Sequence, residues 1–108
     1  MATTQEVWEH HAGGFIGRDV AMVLEDYTEA SVVIQGDNVM KGLDAIRGMF
    51  QAATATGIFS KLEVANQVVE GSCAYLVWSV PGAIPFGSDT FVVEDGKIRL
   101  QTVALKTG

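Results

Sequence analysis

A single cysteine, Cys73, stands in the 108 residues. It excludes an internal disulfide and fits a reducing compartment, so a cytoplasmic location is expected. Basic residues are scarce, 7 against 13 acidic ones, and the formal net charge is −6. Nucleic acid needs a basic stripe and an anionic membrane needs cationic attraction. Neither is therefore expected as a partner. The apolar run Ala74 to Trp78 is far too short to span a bilayer. No basic region followed by an apolar stretch marks the N-terminus as a signal peptide. The only histidines, His10 and His11, are adjacent. On one helix they cannot face one metal from the same side, and Cys73 has no companion, so no metal site is expected. The glycines match neither phosphate-loop nor dinucleotide spacing, and no cofactor is expected.

What remains is apolar and regular. Hydrophobic residues make up 48% of the chain, enough for one core, and residues 1–108 read as one domain. Thr3-x-x-Glu6 is a capping box opening a helix that carries Val7, Trp8, His11, Ala12 and Phe15 on one face. Gly13-Gly14 weakens that helix by roughly 2 kcal/mol against two alanines, and either lets another backbone approach or ends the helix early. Gly17 is placed to end it, and Asp19 to cap a second helix with Val20, Val23, Leu24 and Tyr27 as its stripe. Residues 31–36 read as a strand, Gly36-Asp37-Asn38 as a turn, and Val39 to Lys41 as a short return strand. A third helix fits residues 43–56, with Ile46, Met49, Phe50 and Ala53 on one face and Gly57 as its stop. Strands are expected at 59–70, 73–80, 87–94 and 97–105, with a rim loop from Pro81 to Phe86. Helices first and long strands afterwards define an α+β domain.

The segment Gly87-Ser-Asp-Thr-Phe-Val-Val-Glu-Asp-Gly-Lys-Ile98 is the most informative. Side chains alternate along its first strand, so Asp89 shares a face with Phe91 and Val93. A carboxylate among apolar groups is costly and tends to keep its proton, so it needs a structural partner or a chemical role. Several strands are apolar on both faces, among them Val32-Val33-Ile34 and Phe91-Val92-Val93. One face covers the helices; a second subunit is the simplest cover for the other, and a homodimer is expected.

Four fragments carry a resemblance: Phe15-Ile-Gly-Arg-Asp19, Tyr27-Thr-Glu-Ala30, Lys41-Gly-Leu-Asp-Ala-Ile46 and Gly87 to Ile98. In this order and spacing the chain resembles the NTF2-like superfamily, and within it the SnoaL-like group and the ketosteroid isomerases. The resemblance implies a cone: a strongly curved, mostly antiparallel sheet wrapped around about three helices from the N-terminal half. It implies a pocket at the wide end and dimers through the sheet. Ketosteroid isomerases use an aspartate base and an oxyanion hole of a tyrosine and a protonated aspartate. Counting from the shared fragments, Asp89 falls at the protonated aspartate, His11 at the tyrosine and Gln35 at the base.

An amide is no base, so the steroid-isomerase mechanism does not carry over. A His11–Asp89 pair, in which ionised Asp89 raises the His11 pKa, is the alternative, with Gln35 orienting a carbonyl or hydroxyl. Trp8, Phe15, Val33, Trp78, Phe86 and Phe91 are the expected pocket walls. His10 is expected at the surface and Tyr27 as a helix anchor. Three readings stay open: cofactor-free acid/base chemistry of an isomerase or cyclase type on a small apolar carbonyl compound, binding of an apolar ligand without turnover, and a dimerisation module.

Overall fold

The computed structural model describes residues 1–107. Its elements are α1 (Thr4–Ile16), α2 (Val20–Leu24), β1 (Val32–Gln35), β2 (Asn38–Lys41), α3 (Gly42–Ala55), a 3-10 turn (Ile58–Lys61), β3 (Glu63–Glu70), β4 (Cys73–Val80), β5 (Ile84–Glu94) and β6 (Lys97–Lys106). The strands form one open sheet in the order β2-β1-β6-β5-β4-β3. Only β1 and β6 run parallel; every other pair is antiparallel. The helices cover one face of this sheet, which makes an α+β fold.

Local chemistry explains the element boundaries. Glu6 N donates to Thr3 Oγ1 at 3.1 Å and Thr3 N donates to Glu6 Oε1 at 2.9 Å, completing the capping box of α1. Asp19 caps α2 by accepting from Met22 N at 3.0 Å. Gly17 ends α1 in a right-handed conformation, and it is Arg18 that turns left-handed, at φ 58°. Arg18 Nε donates to Thr54 O at 3.0 Å, which offsets the strain and satisfies the end of α3. The expected strand from residue 59 starts only at Glu63. Left-handed Gly57 (φ 73°) stops α3, and the 3-10 turn then packs Phe59 and Leu62 against the core. The expected rim loop shrinks to the turn Pro81–Ala83, because β5 already pairs with β4 from Ile84.

Bulges interrupt the ladders near Ala65, Ser79 and the Val92–Val93 step. Each one bends its strand and sharpens the twist, so the sheet curls around the helices. His10 lies only half at the surface. Its Nδ1 meets Asp26 Oδ2 at 2.7 Å and its Nε2 meets Glu25 Oε1 at 3.3 Å. Ile98 N donates to Asp26 O at 2.7 Å and Lys97 Nζ to Glu25 O at 2.5 Å. This cluster pins the turn after α2 between α1 and the start of β6.

The two adjacent glycines of α1 do different work. A Cβ at Gly14 would stand 3.1 Å from Val23 Cγ2 and 3.2 Å from Val23 N, whereas one at Gly13 would meet only Met22 Cε at 3.7 Å. Gly14 is the close approach between α1 and α2; Gly13 is not. Gly13→Ala is expected to raise the unfolding free energy by about 0.5–1 kcal/mol in urea titrations. Gly14→Ala is expected to lower it, because the helix gain is outweighed by displacement of the Val23 backbone.

Candidate functional site

A cavity of about 410 Å³ opens between the helix-covered face of the sheet and helices α1 and α3. Its walls are mostly apolar, and sheet register arranges its polar groups. Gln35, Val103, Asp89 and Leu76 form one cross-strand row through β1, β6, β5 and β4. Val33, Gln101, Phe91 and Ala74 form the next row. Gln35 and Asp89 are therefore two strands apart, about 10 Å at the backbone, and both reach the cavity.

Asp89 is 9% exposed, and both its oxygens are occupied. Trp78 Nε1 donates to Oδ1 at 2.8 Å, and Gln101 Nε2 donates to Oδ2 at 2.9 Å. The first bond depends on Gly87, the cross-strand partner of Trp78. A Cβ there would fall 2.4 Å from the indole ring, so only glycine lets the ring lie over β5 and point its nitrogen at Asp89. Burial pushes the Asp89 carboxyl up to about 6, against the opposing pull of the Trp78 and Gln101 hydrogen bonds. It titrates near neutrality, which suits a group that both takes and gives a proton.

The expected His11–Asp89 pair does not form. His11 sits 4% exposed, stacked on Phe15 and edge-on to Phe50 and Phe91. Its Nδ1 faces the Tyr27 hydroxyl at 3.4 Å, and Tyr27 in turn donates to Gln101 Oε1. Tyr27 and Gln101 thus stand between His11 and Asp89. Burial, reinforced by neighbouring His10, pushes His11 down to about 3, the opposite of the expected rise. An aromatic cage leaves no carboxylate close enough to hold a charge on the ring, so His11 stays neutral.

Of the pocket walls named from the sequence, Trp8, Phe15, Trp78 and Phe91 line the cavity. Val33 does not: it is fully buried in the core. Phe86 does not either. It is 48% exposed, because alternation along β5 turns it away from Asp89. Tyr27 is more than an anchor, and Gln101 was not singled out by the sequence. Gln101 alternates with Val103 and Leu105 on the inward face of β6, the same signal that exposes Asp89. Among the described residues no cluster of three or more histidine, cysteine or acidic side chains is placed to hold a metal ion, and no helix is long and apolar enough to cross a membrane.

No protein-family profile matches the chain, and no curated protein matches it. Solved structures do. An NTF2-like protein of unknown function from Cytophaga hutchinsonii superposes with a TM-score of 0.77 at 14% identity, over 98% of this chain and 92% of that one. A proposed polyketide cyclase from Sinorhizobium meliloti gives 0.77 at 19% identity, over 90% and 92%. A de novo designed protein with a curved β-sheet gives 0.82 at 14% identity, over 95% and 84%. The chain has the NTF2-like fold.

The titration of Asp89 makes stability depend on pH. Its folded value, about 6, lies above the 3.8 of an unperturbed aspartate, so the folded chain binds the extra proton between those values. That contribution is fully present below about pH 4 and is lost as pH rises through about 6, on the order of 3 kcal/mol. Asp89→Asn cannot titrate. The difference in unfolding free energy between Asp89→Asn and wild type is expected to grow in favour of the variant from pH 4 to pH 7, as read by urea titrations at each pH.

Proposed function

We propose that this chain is a small-molecule pocket protein whose Asp89 performs acid/base chemistry on an apolar carbonyl compound, of an isomerase or cyclase type, without a cofactor. The observation that carries the reading is the buried Asp89 carboxyl, raised to about 6 at the wall of a mostly apolar cavity. As carboxylate it takes a proton from the carbon next to the carbonyl, and it returns that proton elsewhere on the same molecule. The Gln35 amide donates to the carbonyl oxygen, which gains negative charge as the proton leaves. Trp78 and Gln101 hold Asp89 in place by its two oxygens. The likeness to a proposed polyketide cyclase agrees with chemistry on enolisable compounds.

One observation favours binding without turnover. Only His11 and Asp89 titrate among the cavity residues, and His11 is held neutral, so Asp89 has no second acid or base beside it. Exchange of the α-hydrogens of 2-tetralone for deuterium in D2O separates the two readings. Catalysed exchange is expected, rising with an apparent pKa near 6 and falling roughly 10²-fold or more in Asp89→Asn. Gln35→Leu is expected to slow exchange less. Saturable binding of 2-tetralone with no exchange above buffer would sink the catalytic reading and leave a binding protein.

The chain is further proposed to pair with a second copy through the outer face of its sheet. Val68, Tyr75, Val77, Ser88, Thr90 and Thr102 sit there, an uncharged patch across β3 to β6 with Val68 and Tyr75 exposed. Uncharged and partly apolar, that patch matches a copy of itself better than it matches water. Sedimentation equilibrium at micromolar concentration is expected to give a dimer, and Tyr75→Glu a monomer of unchanged far-ultraviolet circular dichroism.

A further inference from the structure

The polar groups beneath the cavity form one connected chain: Trp78, Asp89, Gln101, Tyr27, His11. Its direction is not free. An ionised carboxylate only accepts, so Gln101 must present its NH2 group to Asp89. The Gln101 carbonyl oxygen then faces Tyr27, whose single hydroxyl proton is used to meet it. Burial holds the Tyr27 hydroxyl well above its ordinary pKa, so it keeps that proton. The Tyr27 oxygen can now only accept from His11, and the His11 proton must sit on Nδ1. Nε2 is left as a lone pair. Among the described residues no group bonds to it, and no fully buried side-chain nitrogen or oxygen lacks a partner. Nε2 therefore opens on the cavity that His11 lines.

We infer that Gln101 and Tyr27 are positioning residues that transmit the acceptor character of Asp89 to His11, fix its Nδ1–H tautomer, and so make the cavity select ligands with a hydroxyl or N–H group at the His11 end. This rests on the pocket reading above and sharpens its substrate class: a compound with a carbonyl for Gln35 and Asp89 and a hydroxyl or N–H donor for His11. A ligand with an ether or a second carbonyl at that end would set one lone pair against another, with no donor between them.

The chain has a second possible direction, which gives the test. In Asp89→Asn the Trp78 N–H still claims the side-chain oxygen, and the new amide NH2 faces Gln101. Gln101 then turns its oxygen to residue 89 and its NH2 to Tyr27. The Tyr27 hydroxyl donates to His11 Nδ1, and the His11 proton moves to Nε2. One substitution thus inverts the tautomer of a side chain it does not touch.

Nitrogen NMR of histidine-labelled protein reads this without any ligand. Wild type at pH 8 is expected to show His11 protonated on Nδ1, and Asp89→Asn to show it protonated on Nε2. Tyr27→Phe, which cuts the chain while keeping both Asp89 and His11, is expected to lose the Nδ1–H preference as well, and serves if Asp89→Asn does not fold. A wild-type His11 protonated on Nε2, or the same tautomer in all three proteins, would overturn the relay. For selection, 2-naphthol is expected to bind wild type at least about 10-fold more tightly than its methyl ether, and to lose most of that advantage in Tyr27→Phe. An advantage that persists in Tyr27→Phe after the tautomer has changed would assign selection to Asp89 and overturn this half. If neither naphthalene binds wild type, the pocket reading and ligand selection fall together, while the tautomers still decide the relay.

Discussion

The two hydrogen bonds to Asp89 are the constraint from which the rest of the site follows. A carboxyl removed from water costs several kcal/mol unless its oxygens are met, and here one indole and one amide meet them. To supply the indole, β4 and β5 must keep the register that sets Trp78 against Gly87. To supply the amide, β6 must place Gln101 beside Phe91, one row from Asp89. A slip of one residue in either ladder would turn these groups to the outer face and leave Asp89 bare. The polar network therefore acts on the fold as well as on the chemistry: it penalises the wrong registers of a sheet whose apolar residues occur on both faces.

His10 and His11 show how far environment outweighs residue type. They are consecutive in α1, yet the first is raised by its hydrogen bond to Asp26 and the second is lowered to about 3 by burial. The turn of roughly 100° between neighbours on a helix sends one ring to the acidic cluster after α2 and the other into an aromatic cage. In His10 the hydrogen bond to Asp26 and the neighbouring Glu25 favour the imidazolium form. In His11 no carboxylate is near enough, and a neutral ring with a fixed tautomer results. The same helix thus carries a surface clamp and a cavity wall.

Much of this was legible in the chain. The capping box at Thr3, the alternation that turns Asp89 inward and the helical stripe carrying His11 all depend on neighbours within a few residues, and they appear as read. Gln35 reaches the cavity because the strand it occupies is short and its register is set by the Gly36 turn. What the sequence hid depends on groups far apart in it. The His11–Asp89 pair was expected because both point into one pocket, but sharing a pocket does not fix which side chains touch. Tyr27 and Gln101 are separated by 74 positions and intervene only once β6 lies beside β1 and the chain after α2 folds under α1. Phe86 was misread for a local reason. With Pro81 to Phe86 taken as a loop, its face was undefined; once β5 starts at Ile84, alternation sends it outward.

The cavity itself carries an energetic argument. Ala12, Ala52 and Ala53 line it on the helix side where larger residues would close it, and the bulged sheet curves away on the other. A dry void of about 410 Å³ would cost on the order of 10 kcal/mol by the cavity scaling measured for core truncations. That is comparable to the whole stability of a domain this size. The cavity opens to solvent instead, so water can enter it beside Asp89, His11 and Gln35. Water against aromatic walls is poorly bonded, and a ligand that displaces it gains affinity while it loses nothing but the few contacts at the polar groups. On the proposed reading those few groups decide which apolar molecule stays, and Asp89 sets the tautomer of one of them, His11, through Gln101 and Tyr27 without touching its ring.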